Sequence, residues 1–297
     1  MRLVTRGDLD GLTCAVIFSL HEKIDRVVLL HPQDITDGRA HILPGDVIAN
    51  LPYHPNAGMW FDHHMHTATP NVPMGEIKGA FAEAPSAARL VYDFYGGESA
   101  MPQFAELVRE TDRLDSASLE PEDVLAPQSY IQLGFTIDGR SGLGTFENYF
   151  LHLLDLLSGG APIAQVMEDQ AVKRRCELMA SEDDTFRGAL REHSHLVGNV
   201  VVTDFRGLDH SPVGNRFLVY ALFPEANVSV RIHWGPARAH QMVLLGHSIF
   251  NRTCKTNVGD LAARYGGGGH RGAGSIPLKS EANEQIAMIL AELRANG

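Results

Sequence analysis

Along the first half of the chain, short apolar runs rich in β-formers alternate with stretches of helical period. "RLVT" near the N-terminus is followed by "LTCAVIFSLHEK", "RVVLL", "DVIANL", "GMWF" and the amphipathic "SAARLVYDFYG". This alternation predicts a parallel α/β sheet, because strands buried on both faces read as near-continuous apolar runs. Ligands of such sheets gather beyond the carboxyl ends of the strands. The polar segments fall there: "GDLDG" follows "RLVT", Asn50 ends "DVIAN", and "DHH" follows "GMWF". Three separated segments therefore converge on one crevice.

A helical region from about Thr145 to Leu157 ends at "SGGAP", and a long polar helix is expected from Ile163 to Glu192. Beyond it a new set of elements begins: strand "NVVVTDF", helix "NRFLVYALF", strands "NVSVRIHW" and "QMVLLGHS", helix "VGDLAARY", the run "GGGGHRGAGS" and a terminal helix "EANEQIAMILAEL". The expected organisation is two α/β domains, residues 1–160 and 196–297, joined by a helical linker at 161–195.

With 297 residues, 44% of them hydrophobic and 21% charged, the chain has enough apolar material to fold by burial alone. Cys14, Cys176 and Cys254 are widely spaced, which suggests neither a disulfide framework nor a zinc knuckle, and a reducing cytoplasm fits best. The N-terminus reaches acidic residues before any signal-peptide core, and no apolar run approaches the roughly 20 residues needed to cross a bilayer. A formal charge of −11 argues against binding long duplex nucleic acid, so any anionic ligand must be held locally. A homodimer is compatible with these features.

Asp8 and Asp10 flank one residue in an expected turn closed by Gly11, an arrangement that lets two hard oxygen ligands face a divalent cation. Asp-Gly turns are common without metals. In "DHH", residues 62–64, one imidazole can ligate while the neighbouring carboxylate fixes a tautomer; a solvated histidine pair is the plain alternative in a chain with 15 histidines. Asp112 and Asp115 in "ETDRLDS" form a third acidic cluster at a helix end before a Ser, where an N-cap or a solvated face is the default. In "GGGGH", Gly267, Gly268 and Gly269 can turn backbone N–H groups toward an anion, with His270 and Arg271 as donors at the edge of that nest; the plain alternative is a flexible turn. Arg231 in "SVRI" could reach a phosphate bidentately or join a surface ion pair. Asn251 and Arg252 in "IFNR" are further candidates for substrate contact.

The order "DxDG", a strand end, "DHH" and a later Asp resembles the DHH-family phosphoesterases. "GGGGHRGAGS" resembles the signature of the DHH-associated C-terminal domain, and "GNRFLVYALFPEANVSVRI" with "GHSIFNR" is similar to the branch called exopolyphosphatase-related. The resemblance spans nearly the whole chain. It implies a phosphoesterase with its active site in the cleft between the domains, using divalent metal, Mn²⁺ ahead of Mg²⁺. It also implies that the glycine run and His270 cradle substrate phosphate.

Two positions depart from the family pattern. A metal-binding histidine usually precedes the first Asp by two residues, and here Arg6 stands there. A metal-bridging Asp usually follows the third strand, and here Asn50 stands there. Carried over residue by residue, one site keeps Asp10, His63 and Asp112 or Asp115, and the other keeps little beyond Asp8. One ion is expected. Arg6, a permanent cation, could hold a phosphoryl oxygen where the second ion would lie. Asp62 and His64 join Arg6 as candidate catalytic residues, with His64 orienting phosphate or protonating the leaving oxygen. The expected substrate is a small phosphorylated molecule: a short oligonucleotide, a dinucleotide, a nucleotide or polyphosphate. The alternative is a phosphate-ligand or nucleotide-binding protein that lost hydrolysis with its bridging carboxylate.

Overall fold

Strand β1 (Arg2–Thr5) buries Leu3, Val4 and Thr5 completely, which only an interior strand of a two-sided sheet can do. The computed structural model describes residues 1–64, 77–137, 146–279 and 282–296. In it β1 lies between β2 (Arg26–Leu29) and β3 (Asp46–Ala49), followed outward by β4 (Ala57–Asp62) and β5 (Lys78–Phe81). The order is β2-β1-β3-β4-β5, with parallel pairing throughout. Helix α1 (Leu9–His21) leads from β1 to β2, and α2 (Pro32–Thr36) lies on the way to β3. Because β1 has its successors on both sides, chain direction across the sheet reverses there, and the carboxyl ends of β1 and β3 flank the opening.

The two faces of this sheet bury different layers. On one, Leu3, Val47 and Phe61 join Leu12, Val16 and Phe18 of α1; on the other, Val4, Ile48 and Trp60 join Ile35, Ile42 and Leu51. Strand β5 had no clear sequence signal because "KGAF" has no β-branched residue. Its Gly79 instead permits close approach, since a Cβ there would collide with the Trp60 carbonyl oxygen. The first layer is completed by α3 (Ala87–Phe94), α4 (Gly97–Ala100) and α5 (Ala105–Asp115), with α6 (Pro121–Leu125), α7 (Ser129–Thr136), α8 (Phe146–Ser158), α9 (Ile163–Glu168) and α10 (Gln170–His193) following along the chain. Thr145, where α8 was expected to begin, lies outside the described residues. The expected single helix over 163–192 is broken at Asp169, whose extended backbone ends α9 and whose Oδ1 accepts from Ala171 N and Val172 N at the start of α10.

The chain divides into two compact units: Met1–Ser118 with Pro127–Leu178, and Leu119–Ala126 with Met179–Gly297. The division runs through α10 and assigns α6 to the second unit. That unit is built on a mixed sheet in the order β10-β11-β9-β8-β7-β6. Its strands are β6 (Ser194–Val197), β7 (Val200–Asp204), β8 (Val228–Trp234), β9 (Gln241–His247), β10 (Gly268–His270) and β11 (Ala273–Leu278). Its further helices are α11 (Leu218–Leu222), α12 (Val258–Arg264) and α13 (Asn283–Ala295). Val228, Val230 and Ile232 of β8 join a core with Leu261 of α12 and Ile289 of α13, so the alternating Ser229, Arg231 and His233 occupy the other face. Among the described residues no helix is long and apolar enough to cross a membrane.

Candidate metal centre

The expected Asp8–Gly11 turn is a helix start. Asp8 is the extended N-cap of α1, its Oδ1 accepts from Gly11 N at 2.9 Å, and Asp10 and Gly11 lie in the first helical turn. Gly11 is needed for close approach rather than for a turn, because a Cβ would strike the Arg6 carbonyl oxygen. Asp10 thereby points from a rigid element into the buried ends of the sheet. It is 1% exposed and accepts from Ala87 N at 3.0 Å and Ala88 N at 2.7 Å, the first amides of α3. Burial pushes its carboxyl well above the ordinary range; Asp115 and Asp8 add to the shift and His63 opposes it.

His63 follows the end of β4. Its Nδ1 lies 2.9 Å from the Ala84 carbonyl oxygen, to which Nδ1–H donates, leaving the lone pair of the neutral ring on Nε2. Nε2 is 3.1 Å from Asp115 Oδ2 and 3.8 Å from Asp10 Oδ2, yet it is buried without hydrogen-bond geometry to any partner among the described residues. Burial draws the imidazole down, but Asp115 and Asp10 outweigh it and push the ring up to about 9. Ligand atoms of Asp10, His63 and Asp115 all lie within 4.8 Å of one another. Two carboxylates and an outward lone pair around one point fit a divalent cation, which would displace the proton this cluster otherwise retains. Asp62, His63 and His64 also lie within that distance of one another.

Asp115 stands beside His63, and Asp112 does not. The Asp112 carboxylate accepts from Ser86 Oγ at 2.6 Å and from Arg89 Nε and Nη2 at 2.9 and 2.6 Å. The sequence left these two aspartates indistinguishable. Ser86, Arg89 and Ala84 were missed as well, although "PSAAR" carries a readable signal, a serine ahead of a helical run.

Asp8 faces a different set. Arg6 Nε lies 3.0 Å from Asp8 Oδ2, while Asn50 Nδ2 donates to Asp8 Oδ1 at 3.0 Å. Burial pushes the Asp8 carboxyl up and the Arg6 charge works against it. Asn50 is fully buried with φ +56, the left-handed region that Asn enters more easily than most residues, and its Oδ1 has no partner among the described residues. The Arg6 side chain is 37% exposed, enough to meet a ligand from solvent. Asp62 Oδ1 accepts from the backbone N of His63 and His64 and lies 2.8 Å from His64 Nδ1. The carboxylate thus orients His64, whereas the backbone of Ala84 orients His63. Met65 and His66 lie outside the described residues.

In the second unit the glycine run is a helix cap leading into an edge strand rather than the expected concave nest. Gly266, at φ +76, ends α12, and Gly267 N bonds back to Ala262 O. Gly268, Gly269 and His270 then form β10, paired with β11. Side chains on Gly267 and Gly269 would collide with the β11 carbonyls of Ser275 and Ala273, so these glycines serve close strand approach. Pairing register puts His270 in one row with Ala273, Gly246 and Ser229, and Gly268 in the adjacent row with Ser275, Leu244 and Arg231. His270 and Arg231 therefore occupy the same sheet face, three strands apart and two residues out of register, about 16 Å at ordinary strand spacing and rise. Arg271 lies in the β10–β11 turn, where its carbonyl accepts from Val258 N. Asn251 and Arg252 secure the loop after β9: Asn251 Nδ2 donates to Glu225 O and Arg252 Nε to Ile249 O.

No family model and no curated protein matches the sequence. Among solved structures, the pGpG-specific phosphodiesterase PggH from Vibrio cholerae is similar at TM-score 0.86 and 35% identity, covering 100% of this chain and 99% of that one. The DHH domain of a member of a family of ribosomal proteins matches at 0.57 and 13% identity over 98% of this chain and 85% of its own. RecJ from Thermus thermophilus, in complex with Mn²⁺, matches at 0.57 and 13% identity over 100% of this chain and 52% of its own. The last two establish likeness of fold alone.

Proposed function

The chain belongs to the DHH phosphoesterase family, and on that premise we propose that it hydrolyses a linear dinucleotide of the pGpG class at a centre holding one divalent ion. It is a hydrolase of small phosphorylated substrates. The finer assignment of a guanine dinucleotide is supported by the activity of the full-length relative at 35% identity. The observation that carries the metal reading is His63 Nε2, buried beside Asp10 and Asp115 without hydrogen-bond geometry to any partner among the described residues.

Asp10, His63 and Asp115 would hold the ion, and a donor set of two carboxylates and one imidazole suits Mn²⁺ ahead of Mg²⁺. When bound, the ion supplies positive charge that polarises phosphoryl oxygens and acidifies water. Arg6 brings a second, permanent positive charge, anchored by Asp8, to a non-bridging oxygen of the scissile phosphate. Asn50 Oδ1 offers a fixed hydrogen-bond acceptor that orients the attacking water, whose proton passes to solvent. His64, steered by Asp62, donates a proton to the leaving ribose oxygen. In the second unit, His270, Arg231 and Arg271 are the proposed contacts for a phosphate or base of the dinucleotide away from the ion, while Asn251 and Arg252 secure the loop after β9.

The test is hydrolysis in the presence of Mn²⁺, comparing pGpG with a cyclic dinucleotide, polyphosphate and an artificial aryl phosphodiester. Release of GMP from pGpG in preference to the other reactions is expected. Polyphosphate cleavage with pGpG left intact would overturn the substrate assignment, and a pGpG-dependent thermal shift without product would return a binding protein.

A further inference from the structure

One short segment, residues 84–89, touches two of the three residues that fit the ion, and Asp112 holds that segment. The Ala84 carbonyl takes the Nδ1 proton of His63 at 2.9 Å. Ala87 N and Ala88 N hold the two oxygens of Asp10 at 3.0 and 2.7 Å. Between them, Ser86 is the fully buried N-cap of α3; its Oγ accepts from Arg89 N at 3.0 Å and donates to Asp112 Oδ1 at 2.6 Å. Arg89 closes the loop with a two-nitrogen grip on Asp112 Oδ2, at 2.9 and 2.6 Å. Asp112 lies on α5 three residues before Asp115, and the residue before it, Thr111, meets Thr13 of α1 hydroxyl to hydroxyl at 2.8 Å.

We propose that Asp112 is a positioning residue of the metal centre, which through Ser86 and Arg89 sets Asp10, His63 and Asp115 at their mutual spacing. This rests on the reading that those three residues hold the ion. Charge-assisted bonds to a planar guanidinium fix direction as well as distance, so Asp112 locks α3 against α5. Residue 84 then has one position for His63, residues 87 and 88 have one for Asp10, and α5 itself delivers Asp115. Without Asp112, Ser86 and Arg89 lose their common anchor, and the start of α3 is free to shift relative to α5.

The test is Mn²⁺ titration by calorimetry into wild type, Asp112→Asn, Ser86→Ala, Ser86→Thr, Arg89→Gln and Asp115→Asn, with thermal unfolding recorded for each. Asp112→Asn is expected to raise the Mn²⁺ Kd by about 10–100-fold, the usual range for partners that orient metal ligands. Ser86→Ala and Arg89→Gln should move it in the same direction, Ser86→Thr should retain wild-type affinity by keeping the hydroxyl, and Asp115→Asn should abolish binding. If Asp112→Asn does not fold, the two Ser86 variants carry the test. An unchanged Kd in Ser86→Ala and Arg89→Gln overturns the proposal, because a directly ligating Asp112 would not act through them. Wild-type Mn²⁺ binding by Asp115→Asn overturns the metal centre itself, a different failure.

Discussion

Arg6 Nε sits 3.0 Å from Asp8 Oδ2, against a carboxylate whose other oxygen is already taken by Gly11 N and Asn50 Nδ2. A cation and an amide thus surround the aspartate where the family would place a second ion. The double variant Arg6→His with Asn50→Asp is expected to raise Mn²⁺ stoichiometry from one toward two per chain, read by calorimetry. Activity on an artificial diester should rise while pGpG hydrolysis falls, since the substrate loses its guanidinium. Two tight sites in the wild-type titration would contradict the single-ion reading.

His64 is oriented through Nδ1 by Asp62, at 2.8 Å. Replacing it with Gln should lower kcat by about 100-fold or more, the ordinary contribution of a positioned acid, while Mn²⁺ affinity stays near wild type. Steady-state kinetics beside a metal titration separates the two effects. A variant that loses the ion along with turnover would make His64 a ligand instead.

His270→Ala should raise KM with little change in kcat, because its proposed contact lies away from the reacting phosphorus. Metal content should be unchanged by elemental analysis. A fall in kcat at constant KM would move His270 into the chemical step.

Gly11→Ala places a methyl against the Arg6 carbonyl oxygen inside a packed helix start. The expected cost is about 2–4 kcal/mol of stability, measured by denaturant unfolding. Mn²⁺ binding should weaken with it, since Asp10 precedes the displaced residue. A variant as stable as wild type would show that the β1–α1 junction yields easily.

Glu22 links α1 to β5 and α3: its Oε1 accepts from Tyr95 Oη at 2.7 Å and from Lys78 Nζ at 3.2 Å. The Tyr95 hydrogen bond, ahead of Lys78, holds its carboxyl below the ordinary range. A carboxyl lowered by folding contributes stability above its unfolded pKa, about 4.3, and loses it as pH falls through the folded value. Glu22→Gln should therefore cost about 1 kcal/mol at neutral pH. The gap to wild type should close in strong acid. Thermal unfolding at several pH values checks it, and a gap that widens on acidification would reverse the sign.

The first sheet was legible because β1, β3 and β4 are buried on both faces and read as continuous apolar runs, so the polar residues at their carboxyl ends, Asp8, Asp10, Asn50 and Asp62, could be placed from the pattern alone. Choosing between Asp112 and Asp115 was not possible from sequence. They stand three apart on one helix, and the difference lies in Arg89 and Ser86, more than 20 residues away along the chain. The glycine run was read as an open nest because sequence reveals conformational freedom but not what backbone stands opposite. In the structure β11 stands opposite, and tight packing explains the missing side chains at Gly267 and Gly269. Strand β6 escaped notice for a related reason: "SHLV" lies at an exposed sheet edge and carries no apolar alternation.

The tether on Arg6 also has a consequence for metal supply. Of the two positive charges proposed to meet the substrate, one is bonded to the chain and always present at unit ratio, and only the other exchanges with solution. The rate should then follow free Mn²⁺ along a simple hyperbola with a Hill coefficient of one, where a centre filling two exchangeable positions would respond more steeply. Under metal limitation, such an enzyme loses turnover gradually and in direct proportion to the ion it sheds.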